Sequence, residues 1–93
     1  MYATIRVYSG DPGFADALVE NEDAVRQIIS QIDGFKAYYL LKTADGTASI
    51  SVYEDEAGAT ESTRAAAAWI AENLPGTTVS APQVTSGEAV ISF

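Results

Sequence analysis

The sequence predicts an α+β fold in which a four-stranded antiparallel sheet carries two helices on one face. Three observations predict it. Residues 2–9 alternate between apolar and polar side chains as a strand does, residues 14–32 and 57–74 have the spacing or composition of helices, and two strand-like runs flank Asp45-Gly46. With a last strand in the C-terminal tail the order is β-α-β-β-α-β, and two right-handed crossovers then place both helices on one side of a sheet with strand order 4-1-3-2.

The first strand, YATIRVYS, occupies residues 2–9. It is predicted to end at the turn-forming segment GDPG, residues 10–13. From Phe14 to Ile32 the apolar residues recur at the intervals of a helix face. We expect this helix to end at Asp33-Gly34, because glycine readily adopts the left-handed conformation found after a helix C-terminus.

The second and third strands form a predicted hairpin around Ala44-Asp45-Gly46. These strands are residues 35–43 and 47–54. A two-residue turn would pair Leu41 with Ile50, whereas a three-residue loop with a bulge at Gly46 would pair Leu40 with Ile50 and exchange the two faces of the strand. We favour the two-residue turn.

The second helix is predicted from Ala57 to Leu74, after an acidic run that favours the positive end of a helix. Four consecutive alanines inside it favour helix, and Pro75-Gly76 stops it. In the tail, EAVISF at residues 88–93 is the clear strand. Pro82 and Gly87 indicate an irregular or edge strand.

The two faces of the sheet differ in composition. One is aliphatic and is expected to pack on the helices: Ala3, Ile5 and Val7 with Ala48, Ile50 and Val52. The other combines hydroxyls, tyrosines and one arginine: Thr4, Arg6, Tyr8, Ser49, Ser51 and Tyr53, with part of the run 38–41. Because tyrosine is enriched at protein interfaces, we predict that this second face meets the same face of a second copy. The alternative is a solvated face that tolerates tyrosine.

Composition narrows the classes of function. The 93 residues are expected to form one domain, residues 1–93. A net charge of −8 disfavours nucleic acid and anionic lipid as partners. The chain has no cysteine and no histidine, so no disulfide, thiolate or imidazole site exists and we predict neither a metal nor a cofactor. With no signal-peptide pattern or long apolar run, a cytoplasmic protein without a membrane span is expected.

The whole chain resembles the dimeric α+β barrel superfamily, and within it the small antibiotic-biosynthesis-monooxygenase-like proteins. The features that carry this resemblance are the order of elements, the segment DGFKAYYLLKTADG at residues 33–46, and VYEDEAGATESTRAAAAWI at residues 52–70. The resemblance implies a ferredoxin-like protomer that packs its sheet on that of a twin, with a pocket between helices and sheet. Some members of this group are cofactor-free oxygenases of aromatic polyketides, others degrade haem, and many have no assigned activity, so the resemblance implies a small protein of unassigned activity.

The residues can be compared with each activity. Haem-degrading relatives use an asparagine on the first strand, a tryptophan on the second helix and a histidine after it, and only Trp69 corresponds to that set. Haem degradation is therefore disfavoured. The cofactor-free oxygenases hold a phenolic substrate with polar side chains. The candidate ligand-binding residues here are Arg6, Tyr38, Tyr39, Tyr53 and Trp69; no catalytic residue is assigned.

Two of these candidates have ordinary structural interpretations that we favour. Trp69 follows the alanine run 65–68 and could wall a pocket, but one large side chain beside small ones is typical of a core. Arg6 could bind a carboxylate or phenolate, but could equally pair with Glu54 or Glu88 across a dimer.

Three hypotheses of function remain. The first is a homodimeric monooxygenase-like protein that binds a small apolar or aromatic molecule. The second is a cofactor-independent oxygenase that acts on a phenolic substrate. The third is a non-catalytic interaction module whose acidic surface meets a basic partner. A cavity bordered by Trp69 and tyrosines would favour the first two, and a filled core the third.

Overall fold

The computed structural model describes residues 1–77, 79 and 81–93, which form four strands and three helices. In chain order they are β1 (Tyr2–Ser9), α1 (Phe14–Glu20), α2 (Glu22–Ser30), β2 (Phe35–Thr43), β3 (Gly46–Tyr53), α3 (Glu56–Asn73) and β4 (Gln83–Glu88). The sheet has the order β2-β3-β1-β4 with every neighbouring pair antiparallel. The α+β class and the strand order predicted from the sequence are therefore confirmed.

The predicted first helix is divided into two by Asn21, whose backbone leaves the helical region at φ −109° and ψ 27°. The Asn21 side-chain amide donates to the carbonyl of Ala17 at 2.8 Å, which is the local competition with the helix ladder that asparagine offers. The second part ends at Ser30, before Ile32. Gly34 has the predicted positive φ of +84°, but it lies in the turn that leads into β2.

The second predicted helix is confirmed as α3, which begins one residue earlier than expected at Glu56. Asp55 is its N-cap, because the Asp55 carboxylate accepts from the backbone N–H of Gly58 at 3.1 Å. The helix lies on β1 and β3, whereas α2 lies on β2. The hydrophobic core therefore sits between the helices and one face of the sheet.

The hairpin uses a two-residue turn, as we favoured, but the turn lies one residue earlier than expected. Thr43 pairs with Gly46 around Ala44-Asp45, so that Tyr39 faces Ile50 and the predicted Leu41–Ile50 pairing is wrong by two residues. A shift of two keeps each side chain on its face. Gly46 follows the turn because a Cβ there would lie 2.4 Å from the carbonyl oxygen of Tyr8.

The predicted assignment of the two sheet faces is wrong, because the helices cover the polar face. Thr4, Arg6 and Tyr8 are buried beneath them, whereas Ile5 and Val7 keep 40% and 47% of their surface exposed. Alternation identifies two faces but not which one is covered. We call the uncovered side the outer sheet face. It comprises Ala3, Ile5, Val7, Ala37, Tyr39, Leu41, Ala48, Ile50, Val52, Gln83 and Thr85.

The last strand also differs from the prediction. It is Gln83–Glu88, and EAVISF lies almost wholly beyond it. The ladder with β1 ends where Glu88 pairs with Tyr2, the first residue of β1, and Ala89 adds one bond from its N–H to the Met1 carbonyl at 2.8 Å. The β-forming residues that follow have no strand of this sheet beside them.

Candidate functional site

Arg6 lies at the centre of β1 with its side chain directed at the helices and only 1% of its surface exposed. Its guanidinium donates to hydroxyls on two sides. In the sheet, Nε reaches Ser49 Oγ at 3.0 Å and Nη2 reaches Ser51 Oγ. On α3, Nη1 reaches Ser62 Oγ at 3.1 Å and Thr63 Oγ1 at 3.0 Å. One side chain thus joins the sheet to the helix that covers it.

No ion pair of the described residues includes Arg6. The predicted pairing of Arg6 with Glu54 or Glu88 across a dimer is wrong, because the Arg6 side chain is enclosed in the core of its own chain. Glu54 instead lies 3.2 Å from Lys36 of the same chain. A buried charge is costly unless carboxylates or aligned hydrogen bonds compensate for its lost hydration. Here four neutral hydroxyls do so, and the positive charge of the guanidinium remains unneutralised within the core.

Three tyrosines surround this charge. Burial raises the pKa of Tyr8, Tyr38 and Tyr53, and the nearby Arg6 guanidinium opposes that rise in each pKa by favouring the phenolate. The Ser49 hydroxyl also acts to lower the pKa of Tyr38. The Tyr53 hydroxyl donates to the carbonyl of Ile29 at 2.7 Å. The phenols therefore stay neutral at ordinary pH, while the site favours an oxygen that carries negative charge.

A small void of about 20 Å³ borders this cluster, lined in part by Arg6, Tyr8, Tyr38 and Trp69. A void of that size holds about one water molecule. Trp69 is half-buried against the core, and Ala66 of the alanine run lines the same void. At Trp69 the space between the helices and the sheet is therefore nearly filled. Among the residues that the structure describes, the expected cavity bordered by Trp69 is not found there, and the core interpretation of Trp69 is the one that fits.

A larger cavity, of about 500 Å³, opens between α1, α2 and β2. Its walls are mostly apolar: Leu18, Val19, Val25, Ile29, Phe35, Tyr38 and Leu40, with Glu22, Arg26 and Ser30 also lining it. Glu22 and Arg26 form an exposed ion pair one helical turn apart on α2. Leu18, Val25, Ile29 and Tyr38 line both this cavity and the small void. We call the larger space the outer cavity. It lies on the helix side of the sheet, opposite the outer sheet face.

No protein-family model and no curated protein matches this chain. Solved structures do match it. A candidate antibiotic biosynthesis monooxygenase from Nitrosomonas europaea is 14% identical, covers 98% of this chain and 100% of its own, and has a TM-score of 0.70. A monooxygenase from Streptomyces coelicolor, solved with the ligand Nanaomycin D, is 18% identical over 99% of this chain and 88% of its own, with a TM-score of 0.69. A dimeric ferredoxin-like protein from an uncultured marine organism is 10% identical over 99% and 95%, with a TM-score of 0.70.

The chain has the ferredoxin-like fold of the antibiotic-biosynthesis-monooxygenase-like proteins. A heme-degrader from Mycobacterium tuberculosis, 16% identical with a TM-score of 0.68, has it too. Identities this low show the shared fold, and one fold supports several chemistries. What this chain does must therefore be argued from its own side chains.

The structure brings most of the sequence-predicted site residues together and separates one. Arg6, Tyr38 and Trp69 border the same small void, and Tyr53 lies beside Arg6 with its ring fully buried. Tyr39 lies on the outer sheet face with 59% of its surface exposed, away from both cavities.

The sequence analysis missed two groups of residues. One is the apolar wall of the outer cavity, which a helix pattern cannot distinguish from core. The other is the hydroxyl ring around Arg6. Serines at alternate positions of β3, on the same sheet face as Arg6, were the available signal for it.

Two further findings concern metal ions and membranes. In the described part of the chain, no group of three or more acidic side chains is arranged to hold a metal ion. None of the helices among residues 1–77, 79 and 81–93 has the length and apolar character needed to cross a membrane.

Proposed function

We propose that this chain is a homodimeric monooxygenase-like protein that binds a small apolar or aromatic molecule in the outer cavity. The observation that carries the proposal is the cavity itself. Its volume of about 500 Å³ is in the range that small-molecule sites occupy, and its wall is mostly apolar. An interaction module that recognised a basic partner by surface charge would need no such cavity.

The wall also indicates how a ligand would be oriented. Phe35 and the aliphatic side chains would contact a flat or branched hydrocarbon part. Polar groups occur at three places: the Tyr38 phenol, which is mostly buried, the exposed Glu22–Arg26 pair, and Ser30. A fused-ring aromatic molecule with one polar substituent fits this distribution. That a matched monooxygenase was solved with Nanaomycin D supports the same class of ligand.

The homodimer is supported by the outer sheet face. Ile5 and Val7 on β1 and Tyr39 and Leu41 on β2 are exposed apolar side chains of this face, and exposed apolar areas mark interfaces in soluble proteins. No side chain of that face is charged, in a chain that carries −8 overall. One of the matched structures is a dimeric ferredoxin-like protein.

Binding is tested by titrating the protein with 1-naphthol in a calorimeter. We expect saturable binding to the wild type and a loss of at least tenfold in affinity in Val19→Trp, because the indole would fill the outer cavity from an exposed position on α1. Gln27→Trp is the matched control, since Gln27 is exposed on α2 and does not line the cavity.

Two results would contradict the binding proposal. One is equal affinity in Val19→Trp and Gln27→Trp, which would place the aromatic probe elsewhere on the surface. The other is no binding by the wild type of 1-naphthol or of larger fused-ring phenols.

A second candidate function, cofactor-independent oxygenation of a phenol, is favoured by the unneutralised Arg6 charge. A positive group favours the phenolate form of a bound phenol, and the phenolate is the more electron-rich form. One phenol and one O₂ would give one quinone and one water, so O₂ is both the oxidant and the source of the new oxygen atom. We expect O₂ uptake with a panel of naphthols, with loss of turnover in Tyr38→Phe or Trp69→Phe; binding without O₂ uptake would leave the first function alone.

A further inference from the structure

We propose that residues Val90–Phe93 form an arm that packs on the outer sheet face of a second copy of this chain. This rests on the dimer proposed above and adds a specific contact to it. After the bond from Ala89 to Met1 the segment has no described ladder partner, and Val90 and Ile91 expose 85% and 78% of their surface. Phe93 is fully exposed.

The composition of this segment conflicts with that exposure. Val, Ile and Phe are among the strongest strand formers, and Val90–Phe93 has no charged side chain. An exposed apolar segment that continues an edge strand can pair with another chain. In the described residues the ladder between β1 and β4 ends at Tyr2, opposite Glu88, before this segment.

Charge identifies the occupant as a second copy. Two molecules that each carry −8 repel one another, so close contact between copies is least costly where neither surface is acidic. The acids of α1, α2 and α3 lie on the helix side of the sheet: Asp16, Glu20, Glu22, Asp23, Glu56, Glu61 and Glu72. The outer sheet face and the arm are both apolar and both free of charged side chains, so they match each other.

The first test is sedimentation equilibrium of the wild type, of a chain that ends at Ala89, and of the full-length variant Val90→Ser/Ile91→Ser. We expect the wild type to be a dimer, and both altered chains to dissociate at concentrations at least about tenfold higher, since each loses buried apolar contacts. Val19→Ser is the control, because Val19 is an exposed valine on α1, on the helix side of the sheet, and this variant should dimerise as the wild type does.

The second test uses the absence of cysteine from the sequence. A nitroxide attached to Ser92→Cys in an unlabelled chain, mixed with isotope-labelled wild type, should broaden the methyl signals of Ile5, Val7 and Ile50 in the labelled chain. A wild-type dimer whose dissociation constant changes less than twofold on truncation, or that shows no broadening between chains, would overturn the arm and leave the dimer standing. A monomeric wild type would overturn both.

Discussion

The two faces of the sheet differ in the polarity of the side chains that they bury and expose. The face beneath the helices, which we call the inner face, holds Thr4, Arg6, Ser49 and Ser51, all of them buried. On the outer sheet face Ile5 and Val7 keep 40% and 47% of their surface exposed. The usual expectation is the reverse, with apolar residues inside and polar ones outside. In this sheet the polar side chains lie inside, where Arg6 donates hydrogen bonds to hydroxyls of β3 and α3.

The difference shows that burial within one chain and hydrophobicity are separate properties of a strand. A polar face can be covered when its donors and acceptors pair, and in the described residues no buried side-chain nitrogen or oxygen atom lacks a partner. An apolar face can stay uncovered within one chain when another surface is available to cover it. The inner face therefore carries the candidate chemistry, and the outer sheet face carries the contact between copies that we propose.

The sharpest way to break this comparison is Arg6→Met, for which we expect the largest loss of stability. Methionine fills similar volume without charge, but the hydroxyl oxygens of Ser49, Ser51, Ser62 and Thr63 would lose their donor. We expect a loss of about 3 kcal/mol in the free energy of unfolding, because several buried acceptors are left unsatisfied at once. Urea denaturation measures it.

The control for that prediction is the triple variant Arg6→Met/Ser49→Ala/Ser51→Ala. It removes the two sheet hydroxyls that methionine would leave without a donor, and should recover part of the loss. If Arg6→Met were instead as stable as the wild type, the guanidinium would be retained at no benefit to the fold, and a role in binding alone would explain it.

The second prediction concerns the contact between α3 and the inner face. A Cβ added at Gly58 would lie 2.8 Å from Cδ1 of Tyr53 and 3.0 Å from the carbonyl oxygen of Asp33. Gly58→Ala should therefore cost about 1–3 kcal/mol, although alanine is the better helix former. Gly76→Ala, which meets nothing within 4 Å, is the control and should be near neutral. A stabilised Gly58→Ala would show that α3 can move away from Tyr53 at little cost.

The order of elements could be predicted from the sequence because each signal was local. Alternation in residues 2–9, the Asp-Gly hairpin and the alanine run each act over a few residues. The sheet face that the helices cover could not be predicted from the sequence, because it depends on whether the polar groups of β1 and β3 find partners on α3. Arg6 and its partner Ser62 are more than fifty residues apart in the chain. The hydroxyl ring could not be predicted for the same reason. The last strand was predicted in EAVISF, but in the structure β4 pairs with β1 only as far as Glu88, opposite Tyr2.

The third prediction is a loss of stability in alkali that originates on the inner face. Because the folded protein raises the pKa of Tyr8, Tyr38 and Tyr53 above the ordinary value of 10.0, it keeps protons there that the unfolded chain releases. Stability from this source is complete below pH 10 and falls as the pH rises above it. Urea midpoints across that range should show the fall, and Tyr8→Phe should reduce it. Tyr39→Phe, on the outer sheet face, should decline as the wild type does; a steeper fall in Tyr8→Phe would contradict the assignment.

The smallest expected change in the stability of one chain comes from the outer sheet face. Ile5→Thr keeps the β-branched shape that strands favour, and Ile5 is already 40% exposed, so the free energy of unfolding at low protein concentration should change by about 0.5 kcal/mol or less. The dependence on concentration should change far more. A dimer becomes more stable as concentration rises, by mass action, and Ile5→Thr should weaken that rise because it places a hydroxyl in the apolar contact. A large loss at every concentration would mean instead that Ile5 stabilises its own chain, and that the outer sheet face is part of the monomer core.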